Sequence, residues 1–290
     1  MLFGALEAGG TKMVCAIVDE NGNILEQCSF PTTIPNETIP LLTEYFKDKN
    51  IDALGIACFG PIDLDRNSPT YGYITTTPKE GWSNVDIVGA FRKALNVPVG
   101  FDTDVNCSAL GEHTFGIGKD VDNLVYITVG TGIGIGVISE GKLLHGAMHP
   151  EGGHIMLTKR PDDSYKGKCP YHSNCFEGLC SGPAVEERWG KKAVDLQDNK
   201  KVWELEADYI AEALISYSMI LSPKRIILGG GIMHQKQLFP LIRNKFKEYL
   251  NGYINNKYVN DLESYIVCQS LDDNQGILGA ACLGREELER

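Results

Sequence analysis

Along residues 2–30, short runs of apolar and β-branched side chains are cut by turn-forming residues, the pattern of three adjacent strands. Leu2–Leu6 leads into the turn Gly9-Gly10-Thr11, and Met13–Val18 follows. Glu20-Asn21-Gly22-Asn23 supplies a hairpin turn before Ile24–Phe30. After Pro31 and Pro35 the period lengthens. Ile39, Leu42, Tyr45 and Phe46 share one face of a helix that Asn36 can cap and that runs to about Lys49. Ile51–Phe59 is the next strand and ends at Gly60-Pro61. Val85–Leu95 reads as helix, Val97–Asp102 as strand, and Asn106–Glu112 opens another helix.

The pattern then restarts. Asn123–Val129 is an apolar strand, Gly130-Thr131-Gly132 a tight turn, Ile133–Ile138 a strand, Glu140-Gly141 a turn and Lys142–His145 a third strand. Strand, Gly-Thr turn, strand, turn, strand repeats the grammar of residues 2–30, at a period too long for a solenoid. Further on, Val202–Leu221 is a long amphipathic helix with Leu205, Tyr209, Ala213, Tyr217 and Ile220 near one face, stopped by Pro223. Arg225–Leu228 is a strand running into Gly229-Gly230-Gly231, Leu238–Leu250 a helix, Tyr265–Cys268 a strand and Asn274–Leu283 a last helix. Alternation of helix and strand after both hairpins predicts two similar α/β domains sharing a cleft. Residues 1–115 form the first. Residues 116–274 form the second, with an insertion at about 150–182. A helix at about 275–290 packs back on the first domain.

Length agrees: 290 residues suggest about two domains. A net charge of −11 with no basic stripe excludes nucleic acid as a partner, yet suits small anions held by backbone amides. No run reaches the ~18 apolar residues of a membrane helix, and the first residues lack the basic and apolar regions of a signal peptide. Neither a membrane nor a secretory route is expected, so the reading is cytoplasmic. Nine cysteines, an odd number, make a poor disulfide framework and fit a reducing compartment.

Three glycine clusters carry the candidate chemistry: Gly9-Gly10-Thr11-Lys12, Gly130-Thr131-Gly132 and Gly229-Gly230-Gly231. A glycine turn between strands lets backbone amides approach a phosphate, while Thr adds a donor and Lys a point charge. Each cluster alone is more simply a tight turn. Two Gly-Thr turns at matching places in a repeat favour phosphate handling. The dinucleotide fingerprint G-x-G-x-x-G is absent. Gly136 to Lys142 spells G-x-x-x-x-G-K, but Leu143 follows and the Lys falls in a hairpin, so the match is fortuitous. Glu7 ends the first strand beside the first turn, where a carboxylate can order a metal-bound water or be an ordinary strand-end residue. Asp102 and Asp104 lie where a strand gives way to a helix, the ligand-binding end in open α/β sheets. Asp104 can be a general base, the N-cap of the helix, or both.

Cys169, His172 and Cys175 form C-x2-H-x2-C, a donor set for tetrahedral zinc. A structural site needs a fourth ligand, with His154, His149 and Cys180 as candidates. Cys15, Cys58, Cys107, Cys268 and Cys282 stand in apolar contexts and read as core.

Taken together, these stretches resemble the ROK family of sugar kinases over essentially the whole chain. Glu7-Ala-Gly-Gly-Thr-Lys12 is similar to the family's first phosphate motif, Gly60-Pro61-Ile62-Asp63 to its sugar-side loop, and Thr103-Asp104-Val105-Asn106 to its N-D-A-N segment. Thr128–Gly136 resembles the second phosphate motif, Leu228–Ile232 the adenosine-side motif, and Glu151-Gly-Gly-His154 the E-x-G-H segment. Two departures stand out. The common C-x-C-G-x-x-G-C-x-E pattern is replaced by C-x2-H-x2-C followed by Phe176-Glu177, which is similar to the fructokinase subgroup. Thr103 stands where the family often has Asn.

The resemblance implies a duplicated actin-like, ribonuclease H-like ATPase fold, a homodimer, and transfer of phosphate from ATP with Mg²⁺ to a hexose, above all fructose. It implies Asp104 as base. Glu7, Gly9, Gly10, Thr11, Lys12, Gly130, Thr131, Gly132, Pro183, Gly230 and Gly231 fall on the nucleotide side. Gly60, Pro61, Thr103, Asp104, Glu151, His154 and Glu177 fall on the sugar side. His154, Cys169, His172 and Cys175 fall on a structural zinc. Other expectations are a kinase for mannose, glucose or an amino sugar, and a non-enzymatic ROK sugar sensor.

Overall fold

The computed structural model describes residues 1–77 and 79–290. They fall into two compact units: Met1–Lys119 with Leu143–His149 and Ser270–Arg290, and Asp120–Lys142 with Pro150–Gln269.

In the first unit, β1 (Leu2–Ala8), β2 (Lys12–Asp19), β3 (Ile24–Pro31), β4 (Ala53–Cys58) and β7 (Val99–Thr103) form a sheet in the order β3-β2-β1-β4-β7. β1–β2–β3 is antiparallel, whereas β1, β4 and β7 are parallel. Every residue of β4 is buried, as a central parallel strand covered on both faces requires. The edge strand β3 has no fully buried residue. Between β4 and β7, β5 (Tyr73–Ile74) and β6 (Val85–Asp86) form a small antiparallel pair.

The second unit repeats this plan. Its order is β10-β9-β8-β11-β12, from β8 (Leu124–Val129), β9 (Ile133–Ser139), β10 (Lys142–Leu143), β11 (Arg225–Gly229) and β12 (Ile266–Cys268). β8–β9 is antiparallel, and β8, β11 and β12 are parallel. The expected duplication is therefore present strand for strand. The G-x-x-x-x-G-K stretch ends in the hairpin at Glu140-Gly141, both at positive φ, and opens no helix.

Several expected boundaries move. α1 (Pro35–Lys47) starts at Pro35, before Asn36. Proline at a first helical position loses only an amide that would have no partner there, and the Thr33 amide donates to Thr38 Oγ1 at 3.1 Å. Val85 and Asp86 are extended. α2 (Ile87–Leu95) begins after them because Asp86 caps it, accepting from the Gly89 amide at 2.7 Å. β7 runs to Thr103, and α3 (Asp104–Thr114) starts directly after it. His145 lies beyond the short β10, outside any strand. α6 (Lys200–Leu221) buries Val202, Trp203, Tyr209, Ala213 and Tyr217, but Ile220 is 78% exposed.

The last helix, α9 (Gln275–Leu288), lies against β1, β4, β7 and α3. Backbone-to-backbone contact explains the glycines there. A Cβ on Gly55 of β4 would stand 1.6 Å from the Ala280 carbonyl oxygen, and one on Gly279 would stand 1.7 Å from that of Cys107. Each buried Leu, Ile or Phe across such a face contributes about 1.5–3 kcal/mol, so the seat of α3 is stiff. In the second unit, α6 and α7 (Leu238–Leu250) share a core with the inner faces of β8, β9 and β11. Among the described residues, no helix is long and apolar enough to cross a membrane.

Candidate active site and metal centre

Register places the first unit's functional stretches in one row. Ala8 pairs with Cys58 and Cys58 with Thr103, so the chain leaves three parallel strands side by side at Gly9, Phe59-Gly60 and Asp104. These are carboxyl ends, where α/β sheets bind ligands. Gly9 donates to the Lys12 carbonyl at 3.1 Å. A Cβ there would come within 2.7 Å of that oxygen, so the turn needs glycine. Thr32 fastens the turn, its hydroxyl donating to the Gly9 carbonyl at 2.7 Å and its amide to that of Thr11 at 3.0 Å. Gly10, Thr11 and Lys12 are exposed.

The Gly60–Pro61 peptide is cis. The Pro61 carbonyl accepts from both the amide and the hydroxyl of Thr75 at 2.9 Å. The buried ring of His149 lies behind Gly60, and Nε2 accepts from the Ile62 amide at 3.5 Å. His149 thus serves this loop and is not among the grouped metal-type donors.

The cap of α3 is Thr103, whose Oγ1 accepts from the Asn106 amide at 3.1 Å. Asp104 occupies the first helical position, half-buried, with Oδ1 accepting from the Val105 amide at 2.8 Å. The capping role weighed for Asp104 therefore falls to its neighbour. Glu7 reaches the first turn of α9, where a Cβ on Gly276 would lie 2.9 Å from its carboxyl carbon. Burial, then the negative charge of Asp104, pushes the Glu7 carboxyl up to about 7, with Lys12 opposing and Asp273 adding a smaller push upward.

In the second unit, Thr128 pairs with Gly229 and Leu228 with Cys268, again aligning carboxyl ends. The Gly130–Gly132 turn is closed by the Gly130 amide on the Gly132 carbonyl at 2.9 Å. Gly182, the first residue of α5 (Gly182–Trp189), donates to the Gly130 carbonyl at 2.7 Å, which brings Pro183 beside the turn. Gly231 stands on its other side, its amide nitrogen 3.7 Å from where a Gly130 Cβ would be. Gly230 has φ 86°, and a Cβ there would meet Thr128 and Val129 at 2.6–2.7 Å. The stretches expected on the nucleotide side of this unit therefore converge.

Glu177 Oε2 accepts from the Ile133 amide at 3.0 Å, so it also braces the second turn. Glu151 precedes a single 3-10 turn, Gly152–His154, whose Gly153 lies flat on the Ile133 carbonyl. Tyr217 donates to the Gly152 carbonyl at 2.8 Å. Glu151, His154 and Glu177 thus gather around the start of β9. Thr131 is exposed beside them.

His154 also belongs to a second group. Its Nδ1 lies 3.8 Å from Cys169 Sγ and 3.7 Å from Cys175 Sγ, and His172 Nδ1 lies 3.7 Å from Cys169 Sγ. One donor atom from each of the four residues falls within 4.8 Å of the others. Bonds of about 2.3 Å to sulfur and 2.0 Å to nitrogen at tetrahedral angles put S and N about 3.5 Å apart, so the set fits zinc. Cys180 lies elsewhere, buried with its thiol on Glu206. Arg188 bonds Glu206 at 3.0 Å and approaches Asp163 at 3.2 Å, tying the metal-bearing loop to α5 and α6. Cys15, Cys58, Cys107 and Cys282 are core. Cys268 departs from that expectation: it is half-buried, with Lys236 Nζ donating to its sulfur at 2.9 Å.

Sequence reasoning missed one pair. Asp102, at 3% exposure, accepts from the Thr103 amide at 2.8 Å and Asn106 Nδ2 at 2.7 Å through Oδ1, while Oδ2 meets His145 Nε2 at 2.7 Å. The partners are 43 residues apart, and no local spacing links them.

Each unit thus gathers its glycine turns and polar side chains at the carboxyl ends of its parallel strands. The ROK family model matches residues 3–287, and the chain belongs to the ROK family. It is 47% identical over 289 residues to a fructokinase of Pediococcus pentosaceus, covering 100% of this chain and 99% of the other. It is 44% identical to a fructokinase of Streptococcus mutans, covering 100% and 97%. The crystal structure of a ROK hexokinase from Thermus thermophilus superposes with a TM-score of 0.83 at 25% identity, covering 100% and 99%. The fold is the actin-like ATPase fold of ROK sugar kinases.

Proposed function

We propose that this chain transfers the γ-phosphoryl group of ATP to the 6-hydroxyl of D-fructose. The observation that carries this reading is end-to-end identity of 44–47% with bacterial chains named fructokinase. On the first unit, Asp104 accepts the proton of the attacking hydroxyl, Thr103 and the Gly60-Pro61 loop line the sugar, and Gly9–Lys12 hold phosphate oxygens. On the second unit, Gly130–Gly132 receive phosphates through backbone amides, and Pro183, Gly230 and Gly231 flank the nucleoside. Glu151, His154 and Glu177 bind sugar hydroxyls, since polyol recognition needs several convergent polar groups. Mg²⁺ carried with the nucleotide spreads the charge that develops on the transferring group. Glu7 is the hard oxygen donor suited to that cation. His154, Cys169, His172 and Cys175 hold a structural zinc that fixes the loop bearing Glu177. The same family reading makes the enzyme a cytoplasmic homodimer. The test is ADP formation, which should need both fructose and ATP. ADP release independent of any sugar would end this reading.

Glu7 makes the activity pH-sensitive in a stated direction. Its carboxyl is held at about 7, so it is neutral below that pH and charged above it. The charged form serves the nucleotide cation. The kcat/KM for ATP should therefore fall as pH drops from about 8 to about 6. In Glu7→Gln, ATP-limited activity should be low and this limb absent. A limb that survives the substitution would assign it to another group.

A further inference from the structure

The segment Leu143–His149 leaves β10, belongs to the first unit, and runs on directly to Glu151 and His154. Two histidines fasten it. His149 sits behind the Gly60-Pro61 loop, and His145 meets Asp102, two residues before the base. The second contact is chemically the more demanding. Asp102 is almost fully buried, and a buried carboxylate is costly unless cations and donors satisfy it. Three donors do so here, and two of them set the start of α3. The Thr103 amide and the Asn106 side chain both bind Oδ1, while Thr103 Oγ1 holds the Asn106 amide. Among the described residues, His145 is the one that reaches Oδ2 from outside this turn. Its imidazole, 39% exposed, supplies a hydrogen bond that helps fix the plane of the carboxylate, and through it the first turn that carries Asp104.

From this geometry we infer that His145 is a positioning residue for phosphoryl transfer, acting through Asp102 to hold Asp104 in register with the attacking hydroxyl. Its hydrogen bond to Asp102 raises its pKa, with Glu286 of α9 adding in the same direction and burial opposing, so the bond is charge-assisted whenever the ring is protonated. The strap that carries His145 continues along the chain into Glu151 and His154.

This inference rests on the fructose-kinase reading and is tested within it, on the full chain with ATP and fructose. Misplacing a reacting group by about 1 Å costs up to about 100-fold, so His145→Ala should lower kcat by about 10- to 100-fold. The KM for ATP should stay within about twofold, because the phosphate turns are untouched. His145→Gln, whose amide can donate to Asp102, should recover most of the loss. Asp102→Asn should also lower kcat, and the double variant should be no worse than the poorer single, since both act on one route. Three results would overturn the inference: kcat within about twofold in His145→Ala, no recovery with Gln, or full addition of the two losses. In an active parent, any of these removes the role of His145 and leaves the fructose reading standing, which fails separately on the parent chain.

Discussion

Asp104→Asn should lower kcat by about 10²–10⁴-fold, while ATP and fructose bind within about twofold of the parent affinity. The expectation follows from where the residue stands. Asp104 opens α3 at the carboxyl end of β7, in line with Gly9 and Gly60 at the ends of β1 and β4. The helix does not need its side chain as a cap, because Thr103 performs that task. Substitution by the near-isosteric amide therefore removes proton acceptance and little else. Single-turnover kinetics with separate binding titrations check it. A variant that turns over near the parent rate assigns the base elsewhere. One that loses binding as well shows a role in assembling the site.

Loss of the metal should have the second large effect, on stability. Purified protein should carry about one zinc per chain, and Cys169→Ser should reduce that content. Weakening such a site by about 100-fold removes about 2.7 kcal/mol at saturation, which in a chain of this size lowers the melting temperature by about 5–10 °C. Arg188 on Asp163 and Asn174 on the Leu157 carbonyl also anchor the segment, but the metal-type donor Cys175 stands two residues before Glu177. Cys175 caps the short α4 (Phe176–Cys180), accepting from the Gly178 amide at 3.3 Å, and Glu177 lies in its first turn. Slackening there frees Glu177 from the Ile133 amide, so kcat/KM should fall with the metal. Elemental analysis and melting curves with and without a chelator decide the matter. A metal-free chain of unchanged melting temperature and activity contradicts it.

What could be read before the fold was known depended on the range of each interaction. At Gly230 a Cβ would meet Thr128 and Val129, distant in sequence, whereas the turn at Gly9 was legible because a Cβ there would collide with the Lys12 carbonyl three residues on. The repeat was legible for the same reason, since strand and turn residues follow one another in sequence. Helix starts were less so. Asn36 is a good cap by type, but Pro35 already fits the first helical position. Three residues could have completed the zinc set, and only tertiary packing separated His154 from His149 at the Gly60 loop and Cys180 on Glu206. Asp102 was legible at its strand end, but its pairing with His145 was not, because a contact that folding brings together across 43 residues has no spacing to recognise.

The central claim is that this chain is a fructose kinase, and sugar choice tests it most directly. Thr103 and Cys169-x2-His172-x2-Cys175 are the departures from the common family pattern that make the choice of sugar worth measuring. The measurement is kcat/KM with ATP for fructose, mannose, glucose and N-acetylglucosamine, with the phosphorylated position determined in each product. The account predicts the highest value for fructose, by about tenfold or more over glucose, with phosphate on O6. A higher value for any other hexose, or no turnover with fructose at all, would contradict it.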